Sequence, residues 1–149
     1  MSEDFIKVQF ELEQDDEGYP PVKYEGLWCV NHRTYCVVNN SPVFAEGISV
    51  GDEIVTKTRD GILLFDRVTK KSGNSNVVVF LDDVSQGEEL RAGLDKFGCR
   101  SESAPVPSGP ALVAVFVPAD ARYEEFIEFL ESGKERGLWS FHETSRRHP

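Results

Sequence analysis

The stretch "NNSPVFAEGISVGDEIV", Asn39 to Val55, decides the fold. It sets Pro42, Gly47 and Gly51 each beside an apolar residue. Two readings compete: a loop that holds a ligand, or a corner that turns one strand into the next. A phosphate loop needs a lysine, its own glycine spacing and a following helix, and this stretch has none of them. A corner needs residues that tolerate sharp dihedrals, which glycine and proline supply. The corner reading makes "SPVFAEG" a short excursion that plugs a barrel end with Val43 and Phe44. "GISVGD" then tucks Ile48 and Val50 inward and turns at Gly51-Asp52 into a new strand.

A corner implies strands on both sides of it. Upstream, "FIKVQFELE" puts Ile6, Val8, Phe10 and Leu12 on one face, with Lys7, Gln9, Glu11 and Glu13 on the other. That alternation is a half-buried strand. "QDDEGYPP" stops it with an acidic turn and two prolines. "VKYEGLWCV" resumes, with Val22, Tyr24, Trp28 and Val30 in phase. "TYCVV" follows after only "NHR", which predicts a hairpin. If its turn centres on His32 and Arg33, Cys29 and Cys36 fall opposite each other. Downstream, "DEIVTKT" and "ILLFDRVTK" flank Asp60-Gly61, a strong hairpin signal. Five short strands between about Phe5 and Lys71 predict a small antiparallel barrel-like unit over residues 1–72.

The pattern changes after the polar linker "KSGNSN". "VVVFLDD" is a continuous apolar run, as in a strand covered by helices. "SQGEELRAGLDKFG" spaces Leu90, Leu94 and Phe97 as a helix, with Ser85 and Glu88 as a capping box and Gly98 as the stop. "CRSESAP" and "ALVAVFVPA" flank the turn "VPSGP". "RYEEFIEFLESG" places Tyr123, Phe126, Ile127 and Leu130 on one helical face. "LWSFHE" supplies a last short strand, and "TSRRHP" is predicted to fray. The order β-α-β-β-α-β over residues 73–149 predicts a ferredoxin-like unit. The fold class is therefore α+β, in two units or one compact domain.

The chain has 149 residues, 40% of them hydrophobic, so it can bury a real core. It carries 26 acids against 16 bases, a net charge of −10. The acidity is spread, with 13 acids and 8 bases in each half. Phosphates would be repelled, which argues against nucleic acid as a partner and permits a basic protein. No apolar run is long enough to span a membrane. The acidic start "MSEDFIKVQF" lacks a secretory layout, which predicts a cytoplasmic protein. Three cysteines do not make a disulfide framework.

The segments "FELEQDDEGYPPV", "LW", "NNSPVFAEGISVGDEI", "SGNS", "FGC" and "GLWSF" together resemble a bacterial family, domain of unknown function 4265. The resemblance runs from about Phe5 to Glu143. It implies a compact bacterial cytosolic protein and carries over no activity and no catalytic residues.

Catalytic and metal chemistry finds little footing. Cys29, His32 and Cys36 have the spacing C-x2-H-x3-C, but a structural zinc site usually brings a second close ligand pair, and none follows. Small buried hydrophobes explain the cysteines. His142 and Glu143 are strand neighbours and point to opposite faces. Asp82 and Asp83 sit before a helix, where its dipole favours negative charge without any Mg²⁺. No catalytic, cofactor or metal site is assigned. Two acidic surfaces stand out instead. Asp15, Asp16 and Glu17 crowd one turn beside Tyr19, and Glu124, Glu128 and Glu131 form a stripe on the last helix. Both are expected partner-binding surfaces. The expected function is a non-catalytic protein-binding protein, an acidic immunity-type inhibitor of a basic toxin. A small-molecule-sensing regulatory domain is the alternative, and an enzyme ranks third. A dry, polar-lined cleft between the halves would favour the sensor, and a flat acidic face the inhibitor.

Overall fold

The computed structural model describes residues 4–104 and 111–149. The chain divides into two units, Met1–Ser72 and Gly73–Pro149.

The first unit contains β1 (Phe5–Glu11), β2 (Tyr24–Asn31), β3 (Cys36–Val38), β4 (Glu53–Arg59) and β5 (Ile62–Lys70). They close into a barrel in chain order. The predicted all-antiparallel barrel needs correcting: β1 meets β5 in parallel, at Gln9 and Leu64. The reason is parity. Each sequential neighbour runs antiparallel, so the first and fifth strands of a five-strand meander point the same way. Closing them can only make a parallel seam.

The barrel core holds Val8, Phe10, Leu27, Cys29, Cys36, Val38, Ala45, Ile48 and Ile54. The Phe10 and Phe65 rings stack at 4.8 Å. The face predicted for β1 is the buried one. The series Val22, Tyr24, Trp28 and Val30 is instead not the inward face of the second strand: Tyr24 and Trp28 are 40% and 50% exposed. Cross-strand partners share a face. Val8 pairs with Leu27, so the odd-numbered residues of β2 point inward. The β2–β3 turn also sits further along than His32 and Arg33. Cys29 pairs with Val38, and Cys36 with Asn31, so the cysteines are not opposite each other. Arg33 adopts φ 76° there, and its N–H donates to Asn31 Oδ1 at 3.0 Å.

The corner is present, with a different plug. Val43 and Phe44 are half-buried, while Ala45 and Ile48 enter the core. Ile48 is tucked in as predicted, and Val50 only half so. Gly51 takes φ 90°, and its N–H donates to Val38 O at 2.8 Å. A β-branched side chain is strained in that conformation, so Gly51→Val lowers stability by about 1 kcal/mol or more. Urea melts check this, and an unchanged midpoint contradicts it. Asp60 and Gly61, at φ 53° and 78°, form the predicted two-residue turn of the β4–β5 hairpin.

The second unit contains β6 (Ser75–Leu81), a 3₁₀ turn (Val84–Gln86), α1 (Gly87–Lys96), β7 (Arg100–Ala104), β8 (Ala111–Val117), α2 (Tyr123–Glu135) and β9 (Trp139–Ser145). Its sheet is antiparallel in the order β7-β8-β6-β9. The odd-numbered residues Val77, Val79, Leu81, Val113, Val115 and Val117 pack with Leu90, Leu94, Phe126, Leu130 and Trp139. The turn "VPSGP" lies outside the described residues.

Three local expectations fail here. "KSGNSN" is not all linker, because Ser75 and Asn76 begin β6 and are buried. The capping box is Asp83 with Gln86, not Ser85 with Glu88. Asp83 Oδ1 accepts from Ser85 N at 3.0 Å, and Gln86 Oε1 accepts from Asp83 N at 3.2 Å. A 3₁₀ turn opens the helical segment early and brings the stronger acceptor into the cap. The helix stop after α1 holds: Gly98 N donates to Asp95 O, and Cys99 N to Leu94 O. Finally, "TSRRHP" is not frayed. β9 runs through Ser145, and Thr144, Ser145 and His148 are buried. His148 Nδ1 lies 2.6 Å from Ser75 Oγ, its Nε2 lies 2.9 Å from Pro118 O, and its ring stacks on Tyr123 at 4.5 Å. Polar groups that satisfy one another hold this segment, which is why its low hydropathy was misleading.

Candidate functional site

β1 and β2 run antiparallel, and Phe10 is the register partner of Glu25. Glu25 therefore occupies an inward position at one barrel end, where its carboxylate is half-buried. It finds three donors in the corner. Oε2 accepts from Val43 N at 2.6 Å, and Oε1 accepts from Phe44 N at 3.0 Å and Ala45 N at 2.8 Å. One carboxylate so clamps the loop that carries Phe44 across the barrel mouth. Charge-assisted bonds to backbone N–H groups are the strong kind.

Facing this loop is the acidic turn. Asp15 Oδ1 accepts from Glu17 N and Tyr19 N, both at 2.9 Å. Asp15 N donates to Tyr19 O at 2.7 Å. The turn brings the Tyr19 ring to Phe44 in a T-shaped pair, with centroids 5.8 Å apart. Between them opens a cavity of about 530 Å³. Phe10, Leu12, Pro20, Ile48 and Phe65 contribute apolar lining, and Glu11, Glu13 and Glu46 contribute carboxylates. The Tyr19 phenol is pushed above its ordinary value by burial first, and then by the charges of Glu46, Asp15 and Glu25. The mouth is thus aromatic inside and electrically negative.

The predicted site residues divide into three groups. Asp15 is a structural member of the turn. Asp16 and Glu17 are exposed on it, and Tyr19 lines the cavity at 45% exposure. Glu124, Glu128 and Glu131 lie exposed on α2, in the other unit. The cavity residues Phe44 and Glu46 belong to the corner, where the sequence marks Phe44 as a plug and singles out no role for Glu46. Their signal was an inward acid on β2: Glu25 falls at an inward position of the strand, and a half-buried carboxylate needs donors.

Of the remaining candidates, His32, Asp83 and Glu143 have structural partners. Cys29, Cys36 and Cys99 are free and buried. His32 stacks on Tyr35 at 5.0 Å. Glu143 accepts from the Tyr123 hydroxyl at 2.7 Å, and Asp83 caps the 3₁₀ turn. Among the described residues, no three His, Cys, Asp or Glu side chains gather as a metal-holding group. Nor, among them, is any helix long and apolar enough to cross a membrane.

Burial pushes the Cys29 and Cys99 thiols up to about 12, from an ordinary 9.0. Between those values the unfolded chain gives up protons that the folded chain keeps. Their contribution is therefore present below pH 9 and is lost as pH climbs toward 12. Urea midpoints are expected to fall with rising pH in this window. The Cys29→Ala, Cys99→Ala double variant is expected to fall less steeply.

Barrel and sheet together define a class: a two-unit α+β protein, whose first unit is a closed mixed barrel with an acidic, aromatic mouth. The chain belongs to the family described as Domain of unknown function (DUF4265), whose model matches residues 25–141. A solved structure of a hypothetical protein from Neisseria gonorrhoeae is similar in fold, with a TM-score of 0.74 and 18% identity. The match covers 97% of this chain and 96% of that one. Among curated proteins none matches.

Proposed function

We propose that the protein is a non-catalytic protein-binding protein, an acidic immunity-type inhibitor that neutralises a basic toxin in the cytoplasm. The observation that carries this reading is the barrel mouth. An aromatic pair, Tyr19 and Phe44, stands among the carboxylates Glu11, Glu13 and Glu46. Clustered acids speed encounter with a basic surface, and an aromatic anchor supplies affinity. The net charge of −10 adds long-range attraction of the same sign. The second unit reads as ferredoxin-like from its element order and its strand order. A regulatory domain that senses a small molecule is the second reading, favoured by a cavity of about 530 Å³, which is a common size for a ligand site.

The experiment is affinity capture from the organism that carries the gene, followed by charge reversal of each acidic surface in turn. Asp15 is left intact, because its carboxylate builds the turn. Reversal of Glu13, Asp16 and Glu17 is expected to reduce capture of a basic protein about tenfold or more. Reversal of Glu124, Glu128 and Glu131 is expected to leave it unchanged. Capture should also weaken as salt rises. Capture that survives both reversals, or retention of a small metabolite instead, refutes the inhibitor reading.

A further inference from the structure

We infer that the barrel-mouth cavity is a receptor for a guanidinium group, the side chain of an arginine presented by the partner protein. The inference rests on the protein-binding reading and specifies what that surface grips. Three features of the cavity select this occupant.

The first is shape. Tyr19 and Phe44 meet with their planes at 79°, and Phe10 and Phe65, stacked on each other, line the same cavity. A planar group can stack on the Tyr19 ring, which is 45% exposed, whereas a tetrahedral ammonium does not stack. The second is charge. Glu13 and Glu46 line the same space as the rings, and Glu11, which also lines it, already pairs with Arg59 at 3.4 Å, so Glu13 and Glu46 are the carboxylates that would meet a visiting cation. Carboxylates match the forked donors of a guanidinium two at a time. The third is desolvation. Guanidinium is weakly hydrated and gives up its water more easily than a lysine head, which suits a lining that is half apolar. Its aliphatic stem would lie against Leu12, Pro20 and Ile48.

The loop that forms one wall is already in place. Glu25 fixes three successive N–H groups of the corner, from Val43 to Ala45. Little ordering is left to be done on binding, so a single side chain can register measurably.

The test uses the full chain and two probes: N-acetylargininamide, and its neutral isostere N-acetylcitrullinamide. Amide NMR titration is expected to show saturable shifts at Tyr19, Phe44, Ala45 and Glu46 with the arginine probe. The citrulline probe is expected to bind at least about tenfold more weakly, since it loses both the charge and the cation–π contact. Glu46→Gln and Phe44→Ala are each expected to weaken the arginine probe about threefold or more, with the rest of the spectrum unchanged as proof of folding. Glu128→Gln, on the other unit, leaves it alone. Equal binding of both probes, or no shift at the mouth with either, overturns the inference. The protein-binding reading stands if capture persists in that case. Conversely, a mouth that binds the arginine probe in a protein that captures no basic partner refutes the reading and leaves the receptor.

Discussion

Gly133→Ala destabilises the second unit by about 2–3 kcal/mol, against the sign that helix propensity assigns. In an exposed helix interior, the same change stabilises by about 1 kcal/mol. Here an added Cβ would stand 2.1 Å from Trp139 Cε2 and Cζ2. The indole cannot yield easily. It is 2% exposed, and its Nε1 donates to Leu130 O at 3.0 Å. Moving the ring aside breaks that bond and disturbs the contact with Phe129 at 5.7 Å. The α2 terminus is also pinned at this residue, since Leu138 N donates to Gly133 O at 3.0 Å. Thermal or urea melts measure the loss. Trp139→Phe in the Gly133→Ala background is expected to restore part of it by making room. A variant that melts at or above the wild type would show that the ring has somewhere to go.

Asp52→Ala is the second large loss, about 3 kcal/mol, and it falls on the barrel. Asp52 is fully buried. Its Oδ2 accepts from Ser49 N and its Oδ1 from Ser72 N, both at 3.0 Å. One carboxylate thus joins the corner to the last residue of the barrel unit. Removing it strips the acceptor from two backbone donors, at about 1–3 kcal/mol each. Asp52→Asn keeps one carbonyl oxygen and loses the other, so its midpoint in urea is expected between those of the wild type and Asp52→Ala. Coincident melts for all three proteins would show that the two bonds carry no weight.

Both losses bear on what the sequence made legible. Strict alternation along Ile6, Val8, Phe10 and Leu12 identified the inward face of β1, because burial on one side leaves a period of two. The same rule failed on β2, where the exposed Tyr24 and Trp28 are larger than the inward Cys29. Only register against β1 settles the phase, and register is not local. Helix α2 was legible from Tyr123, Phe126 and Leu130, but Gly133 was not. A glycine made necessary by a ring that arrives from β9 looks like any other glycine. The cavity was half visible. Tyr19 and its acids stood out as a cluster, whereas Phe44 and Glu46 reach them only because Glu25 folds the corner over the barrel end.

The parallel seam between β1 and β5 has a consequence for the order of folding. The hairpins β2–β3 and β4–β5 join near neighbours in the chain, so their closure entropy is small and they form early. Gln9 and Leu64 sit toward opposite ends of the unit, and their pairing is the whole seam. It forms last, at the greatest entropic cost and for the fewest ladder bonds. A ribosome must have released nearly the entire first unit before the barrel can shut. A seam of one register pair is held by few ladder bonds, the kind of joint at which local opening costs least. Phe10 and Phe65 flank it, and both line the mouth, so the joint that assembles last is the one beside which a visiting side chain would have to enter.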